Sequence, residues 1–339
     1  MIESNILIFM FFMLGIIIGS FLNVCIFRWP LEQSVVTPRS KCFSCQTPIA
    51  WYDNIPLLSY VLLAGKCRNC KAKFSIQYFL IELLTGLTFV GFYLYYGLDS
   101  VLIPYLFMVS CFIIATFVDF GHRIIPDQVS VGGLFVGLIF SFIFPNLHQV
   151  DDQTIFYGRW MMRVLFGLLI AASLLDHFFS RNKETVEDPE AKNFEFWTMT
   201  IVITAIIYDL FIEFIFPSFK KNILTSHFLS LDAGVIGFML GGGFIYGMGV
   251  LGDFLFKKEA MGGGDVKLLA MIGAFLGWKA TLLAFFIAPF FGALFGLIEK
   301  IRTKDTTIAY GPFLVLGALM ALFCKDQIIH YILVFNGLR

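Results

Sequence analysis

Charged residues are scarce: Asp, Glu, Lys and Arg make up 14% of the 339 residues, where a soluble domain carries about 25%. The chain therefore lacks the polar side chains that one to three soluble domains would need for their surfaces. Several catalytic signatures are missing as well. No Gly-x-Ser-x-Gly elbow and no His-Glu-x-x-His pair occurs, which leaves serine-hydrolase and zinc-protease readings without support. There is no Walker or Rossmann glycine fingerprint. The five histidines show no metal spacing. With 24 basic and 24 acidic residues the net charge is zero, so no bulk field argues for a nucleic-acid partner.

What is abundant is apolar sequence: 58% of the residues, with a mean hydropathy of +0.83. A helix needs about 20 apolar residues to cross the bilayer core. Candidate runs are 5–27, 76–97, 101–118, 129–145, 160–179, 198–216, 232–256, 280–298 and 312–335. A shorter run, 268–278, reads as a short tilted span or a re-entrant piece. Lipid leaves unpaired backbone without partners, so the spans are expected to be helices. The runs are continuous rather than alternating, which argues against a β-barrel. The first run has no basic residue ahead of it and no A-x-A-like site after it, so it reads as a retained span. The expected fold is an all-α polytopic membrane protein of about ten transmembrane helices.

Orientation follows from Lys and Arg. With ten crossings and the N-terminus outside, the inner loops are 28–75, 119–128, 180–197, 257–267 and 299–311. They hold 17 of the 24 basic residues. The expected segments are a first span (1–27), a polar loop (28–75), spans with an aspartate (76–145), an insertion (146–230) and a closing set of spans (231–339).

The loop 28–75 carries Cys42-x-x-Cys45 and Cys67-x-x-Cys70, with 21 residues between the pairs. Each pair can place two thiolates on one metal, and two pairs complete a tetrahedral four-sulfur shell, the usual structural zinc arrangement. Arg39, Lys41, Lys66, Arg68, Lys71 and Lys73 surround it and favour thiolates. Two disulfides are the alternative, disfavoured in a reducing cytoplasm. A closed four-sulfur shell suits a structural role. Cys25, Cys111 and Cys324 lie in apolar runs and read as packing residues.

Ionisable residues beside apolar spans are functional candidates by default. Asp119 ends a span and Asp265 starts one, and the topology puts both at the inner interface. Carboxylates brought close together share a proton. The ionised one then takes a proton from water while the protonated one donates to a scissile carbonyl. Gly262, Gly263 and Gly264 allow close backbone approach before Asp265, so an extended peptide could lie there. The bland alternatives are a span-end anchor for Asp119 and a helix N-cap for Asp265. Asp127 competes with Asp119 as the first residue. Glu82, inside a span, reads as a helix–helix hydrogen-bonding residue, and His122 as a loop histidine. In the insertion, Asp176 and His177 sit near a span end. Asp209 lies deeper and calls for a polar partner or a water-filled cavity. The glycines of 237–249 read as helix-packing positions.

Several motifs in order resemble the type IV prepilin peptidases. They are GSFLNVCIFRWP at 19–30, the two cysteine pairs with DNIPLLSY at 53–60, and IELLTG at 81–86. VDFGHRIIPD at 118–127, MGGGDVKLLAMIGAFLGW at 261–278 and YGPFLVLGALMAL at 310–322 follow. The resemblance covers about 8–145 and 231–335. It implies that Asp119 and Asp265 are the catalytic aspartates, the second in a Gly-x-Gly-Asp motif, and that Cys42, Cys45, Cys67 and Cys70 are the zinc-associated tetrad. It implies cleavage after a glycine that ends a short basic leader, on the cytoplasmic face of the bacterial inner membrane. Methylation of the new N-terminus, usually Phe, with S-adenosylmethionine then follows. The implied substrates are prepilins and pilin-like secretion subunits. The family usually has eight spans. The two extra ones in 146–230 are an even number and preserve the face of Asp265. A transporter or scaffold with a structural zinc loop, using Glu82 and the aspartates as ion ligands, is the competing class.

Overall fold

Long apolar runs that must satisfy their own backbone groups become helices, and helices dominate this chain. A computed structural model of the protein describes residues 2–148, 152–180, 207, 208, 210, 224–256, 262–303 and 309–335. The helices are α1 (Ile2–Arg28), α2 (Leu58–Leu62), α3 (Ile76–Tyr96), α4 (Leu102–His122), α5 (Asp127–Ile143), α6 (Asp152–Ser180), α7 (Leu224–Phe256), α8 (Gly263–Thr303) and α9 (Gly311–Phe335). Among the described residues there is no strand, only isolated bridges at Lys41–Pro48 and Lys66–Lys73.

Five helical stretches are long and apolar enough to cross a bilayer: Ser4–Leu31, Ile76–Tyr96, Leu102–His122, Thr225–Gly249 and Gly263–Ile298. Asp127–Ile143 and Gly311–Cys324 are shorter apolar helices. The run 198–216, apart from 207, 208 and 210, lies outside the described residues, as do Asp209 and the side chains of Asp176 and His177. The described residues are thus those of an all-helical, multi-pass membrane protein, with five stretches of spanning length, the last of which joins two of the ten expected spans, 268–278 and 280–298.

Local chemistry sets the helix ends. Ser75 caps α3 by accepting the Gln77 N–H, 3.2 Å away. Gly97 stops α3 with a φ of 66°. Arg123 ends α4 in the left-handed conformation, its N–H donating to the Asp119 carbonyl at 2.9 Å. The short run 268–278 and the run 280–298 both fall in α8, which is interrupted at Gly277, near the end of the first run, at φ 72° and ψ 171°. Only glycine adopts that conformation at low cost. The piece before Gly277 is about 20 Å long at 1.5 Å per residue, less than the bilayer core. Trp278 Nε1 and Lys279 Nζ then donate to the carbonyl and hydroxyl of Thr154, at 3.1 and 2.7 Å.

The chain divides into two units, Met1–Gly133 with Phe291–Val315, and Leu134–Phe290 with Leu316–Arg339. In the first, α1 packs on α3 at near backbone contact. A Cβ on Gly15 would lie 2.7 Å from the Gly86 Cα, and one on Gly19 would lie 2.8 Å from the Glu82 Cα. Small residues four apart let the two backbones touch. Phe11 stacks on Tyr93 and Phe27 on Tyr78, with ring centroids 4.6 and 4.7 Å apart.

In the second unit, α6 packs on α7 through Ile155, Met162, Phe166, Ile236 and Leu240. At Gly237 and Gly273 the backbones of α7 and α8 meet so closely that a Cβ on either would overlap the other strand of backbone. The glycines of 237–249 thus include a helix-packing position, as expected. Inside this unit Arg159 of α6 donates from Nε and Nη2 to the fully buried Asp232 of α7, at 3.1 and 2.6 Å, and the Tyr208 hydroxyl donates to its other oxygen at 3.1 Å. An unpaired buried charge would cost several kcal/mol (about 3–5 on removing one partner). The pairing is what allows Asp232 inside an apolar helix.

Candidate functional site

The two Cys-x-x-Cys segments fold into matching turns. The Cys42 N–H donates to the Thr47 carbonyl at 3.0 Å and the Gln46 N–H to the Cys42 carbonyl at 2.9 Å. In the second turn the Cys67 N–H donates to Ala72 at 2.8 Å and Lys71 to Cys67 at 3.0 Å. Gln46 and Lys71, each just after the second cysteine, adopt left-handed φ values of 57° and 59°. That reversal points both sulfurs of a turn to the same side.

All four sulfurs lie within 4.8 Å of one another. Cys42 and Cys70 are 3.7 Å apart, and Cys45 and Cys67 are 4.0 Å apart. These separations are far longer than a disulfide bond. A tetrahedral shell with metal–sulfur bonds of about 2.3 Å has edges of about 3.8 Å, so the cage has the size a metal ion requires. Thr47 hydrogen bonds, from side chain and backbone, pull the Cys45 thiol down to about 6. The Cys70 and Asn69 amides lower Cys67. The Ala72 amide acts to lower Cys70, but burial and the neighbouring sulfurs outweigh it and push that thiol up to about 11. Local hydrogen bonds, led by the Thr47 side chain at Cys45 and by backbone amides at Cys67, thus already favour thiolate, the metal-binding form, on one cysteine of each pair. The four cysteines can hold a metal ion.

The second turn is tied to the DNIPLLSY segment. Arg68 grips Asp53 through Nε and Nη2, the shortest contact being 2.6 Å, and its hydrogen bonds hold the Asp53 carboxyl below the usual range. A depressed carboxylate favours the folded state above its ordinary pKa, and that contribution fades as pH falls through the lowered value. Glu82 completes the anchoring. Buried in α3 at 8% exposure, it accepts the Leu57 N–H at 2.7 Å. The side chain of Ser20 on α1 also hydrogen-bonds that carboxyl, so the expected helix–helix bond is present and a helix–loop bond is added to it. Leu57 sits at φ 59°, ψ −49°, and the turn there points its N–H into α3.

Asp119 lies in the last turn of α4 and is 5% exposed. Its Oδ2 accepts the Gly311 N–H at 2.9 Å. Gly311 opens α9, so the first free N–H of that helix is aimed at the carboxylate. A Cβ on Gly311 would lie 2.8 Å from the same oxygen. Sequence reasoning gave Gly311 no role. The available signal was a glycine directly before Pro312, the mark of a helix start that needs room. Asp265 is half-buried in the first turn of α8, its N–H donating to the Gly262 carbonyl at 3.1 Å. Gly262 and Gly263 are exposed. A Cβ on Gly263 would meet nothing within 4 Å, and one on Gly262 would meet only an Asp265 oxygen at 3.4 Å. Among the described residues, nothing crowds Gly262 and Gly263 ahead of Asp265. Asp127 is exposed in the first turn of α5, and His122 is exposed at the end of α4. The structure thus gathers the four cysteines into one cluster. Asp119 belongs to the first unit and Asp265 to the second, each with its own surroundings.

Comparison with known proteins bears on these residues. The model of the bacterial peptidase A24 N-terminal domain matches residues 13–96, which hold the cysteine cluster and Glu82. The model of the type IV leader peptidase family matches residues 195–297, which hold Asp265. A prepilin leader peptidase/N-methyltransferase of Myxococcus xanthus is 30% identical over 86% of this chain, which spans 63% of that protein's length. A type 4 prepilin-like proteins leader peptide-processing enzyme of Escherichia coli is 26% identical over 92% of this chain and 91% of its own. A prepilin leader peptidase/N-methyltransferase of Legionella pneumophila is 26% identical over 95% of this chain and 94% of its own. No solved structure matches.

Proposed function

The chain belongs to the type IV leader peptidase family, and on that premise we propose that it is a membrane aspartic endopeptidase acting on prepilins and pilin-like secretion subunits. It removes their short basic leader at the cytoplasmic face of the bacterial inner membrane and then methylates the new N-terminal residue. Asp119 and Asp265 form the catalytic pair. The observation that carries this reading is Asp119, a buried carboxylate at a span end, held in one orientation by the leading N–H of α9.

In hydrolysis the ionised aspartate takes a proton from water, which attacks the scissile carbonyl carbon. The protonated aspartate donates to the carbonyl oxygen; the first aspartate then passes the proton it took from water to the leaving amine as the C–N bond breaks, and a hydroxyl of the tetrahedral diol returns its proton to the second. No covalent intermediate with the enzyme is needed. The uncrowded Gly262–Gly263 strip supports an extended substrate lying against Asp265. S-Adenosylmethionine supplies an electrophilic methyl group for the amine that cleavage uncovers. Zinc is the proposed metal of Cys42, Cys45, Cys67 and Cys70, and its closed shell makes it structural.

The proposed topology has ten crossings with the N-terminus outside and the segment division of the sequence reading. The positive-inside bias and the reducing side preferred by free cysteines support it. On α1, Ile6, Phe9, Met10, Leu14, Ile17 and Phe21 make an exposed apolar stripe suited to lipid.

The reading is tested by incubating a purified prepilin with the detergent-solubilised protein and S-adenosylmethionine. The expected product lacks its leader and is heavier by one methylene. An intact prepilin would overturn the proposal. Gly311→Ala adds a Cβ against the Asp119 carboxylate, so kcat should fall about 10–100-fold with KM within a few-fold. Unchanged kcat would mean that Gly311 does not position Asp119.

A further inference from the structure

Part of the 28–75 loop does not stand clear of the membrane helices. The Leu57 N–H donates to Glu82, six residues into the 21-residue helix α3. At 1.5 Å per residue, Glu82 lies about 9 Å below the start of that helix. This is more than a glutamate side chain can reach back, so Leu57 itself lies within the length of α3. A second ruler agrees. Gly19 of α1 touches α3 at Glu82, and it is nine residues, about 13 Å, from the basic end of α1 at Arg28. The Tyr60 ring packs on Phe79 in the first turn of α3, with centroids 5.6 Å apart. The short helix α2 therefore runs beside the first two turns of a bilayer-spanning helix.

The chemistry of residues 51–63 suits that depth. Much of the backbone is satisfied from within, as a place without water demands. The buried Ser59 hydroxyl accepts the Ile55 N–H at 2.9 Å and donates to the Tyr52 carbonyl at 3.1 Å. The N–H groups of Ser59, Val61 and Leu63 donate to the carbonyls of Ile55, Leu57 and Ser59 at 3.0, 3.1 and 3.0 Å. The apolar side chains face outward instead: Leu58, Val61 and Leu62 are 50, 64 and 73% exposed, and Trp51 is 81% exposed beside an exposed Tyr52. Over the same depth α3 also presents Ile76, Leu80 and Leu84 outward. Charge begins one level higher. Lys73, two residues before the α3 cap Ser75, bridges to Lys66, and both lysines are exposed. Residues 28–75 hold seven basic side chains against two acidic ones, and one of the acids, Asp53, is held by Arg68. That excess outlasts the two negative charges that a four-thiolate zinc centre would add.

We propose that residues 51–62 form an interfacial anchor seated in the lipid leaflet that adjoins the loop. Its occupant is phospholipid. Leu58, Val61 and Leu62 lie at the acyl-chain boundary, Trp51 and Tyr52 at headgroup level, and Lys66 and Lys73 against lipid phosphates. Through the Arg68–Asp53 pair the anchor fixes the second cysteine turn at the bilayer surface. It depends on α1 and α3 spanning the bilayer and stands apart from the peptidase reading.

The depth of the segment is the test. The full chain is placed in phosphatidylcholine nanodiscs, with and without bromine on the acyl chains, and each sample is also titrated with aqueous iodide. Leu62→Trp is compared with Ser44→Trp, at an exposed position in the first cysteine turn, and the wild-type emission is the baseline. Helical content and monodisperse elution are the folding controls. The emission that Leu62→Trp adds should be blue-shifted and mostly lost to brominated lipid. The emission that Ser44→Trp adds should survive bromine and fall with iodide. Val61→Trp should behave as Leu62→Trp does and replaces it should that variant aggregate. Added emission at 61 or 62 that iodide quenches and bromine does not would put the segment in water and overturn the anchor. Emission that neither quencher reaches would mean that protein, such as a second copy of the chain, covers the surface, and would overturn it equally.

Discussion

Asp119→Asn and Asp265→Asn should each lower leader cleavage by about 1,000-fold or more while the protein still inserts and keeps the metal proposed for its cysteines. General acid–base groups contribute about 10²–10⁴-fold, and two carboxylates that share one proton fail together. Asparagine is the informative replacement at Asp119. Its amide oxygen still accepts the Gly311 N–H, now 2.9 Å from the carboxylate, so the packing of α9 survives. Alanine would leave that N–H buried and unpaired, at a cost of about 1–3 kcal/mol, and would confuse folding with chemistry. The double variant should be no worse than either single one. Cleavage of a purified prepilin, followed by mass spectrometry, checks all three. Full activity in either single variant sinks the pair. Asp127→Asn should be milder, since Asp127 is exposed at the start of α5. If it alone is dead, the first catalytic residue is misassigned.

Removing one cysteine of the tetrad should cost the loop its metal and its fold. One zinc per chain is expected by metal analysis of protein purified without added metal. Apparent zinc-binding energies of about 10–16 kcal/mol in small sites are also folding energies. Cys42→Ser should therefore leave residues 28–75 open to limited proteolysis while the spans stay protected. Because the ligands must be thiolates, acidification should release the metal, the sign expected when protons compete with it. Metal-free wild-type protein with two intact disulfides would refute the site. Partial cleavage after metal loss would fit, because in the proposed mechanism the carboxylates, not the metal, carry the hydrolysis.

The tetrad was legible because its determinant is local. Two Cys-x-x-Cys turns each present two sulfurs whatever surrounds them, and only their meeting needed the fold. The span ends at Asp119 and Asp265 were legible for a similar reason, as charges are expelled from apolar runs to their edges. The helix break at Gly277 lies two residues before the gap between the runs 268–278 and 280–298. Glu82 was legible as a buried acid but not as a loop anchor. Its partner Leu57 is 25 residues away, and its N–H is freed by a turn that no spacing rule marks. Arg159 and Asp232 are separated by 73 residues, and neither stands out in the sequence. Their pairing depends on how α6 meets α7.

By itself the sequence determined that the chain crosses membranes as helices, where several of those helices end, and that four thiols can meet on one ion. These follow from run length, from the cost of charge in hydrocarbon and from the reach of a six-residue turn, all short-range physics. Only the tertiary structure decided that the Gly311 N–H, 192 residues from Asp119, holds that carboxylate. It alone placed Leu57 against Glu82, within the length of α3. Such contacts are set by close helix packing, as where Gly19 lets α1 touch α3 at Glu82, and no local pattern encodes the angle and register of two packed helices.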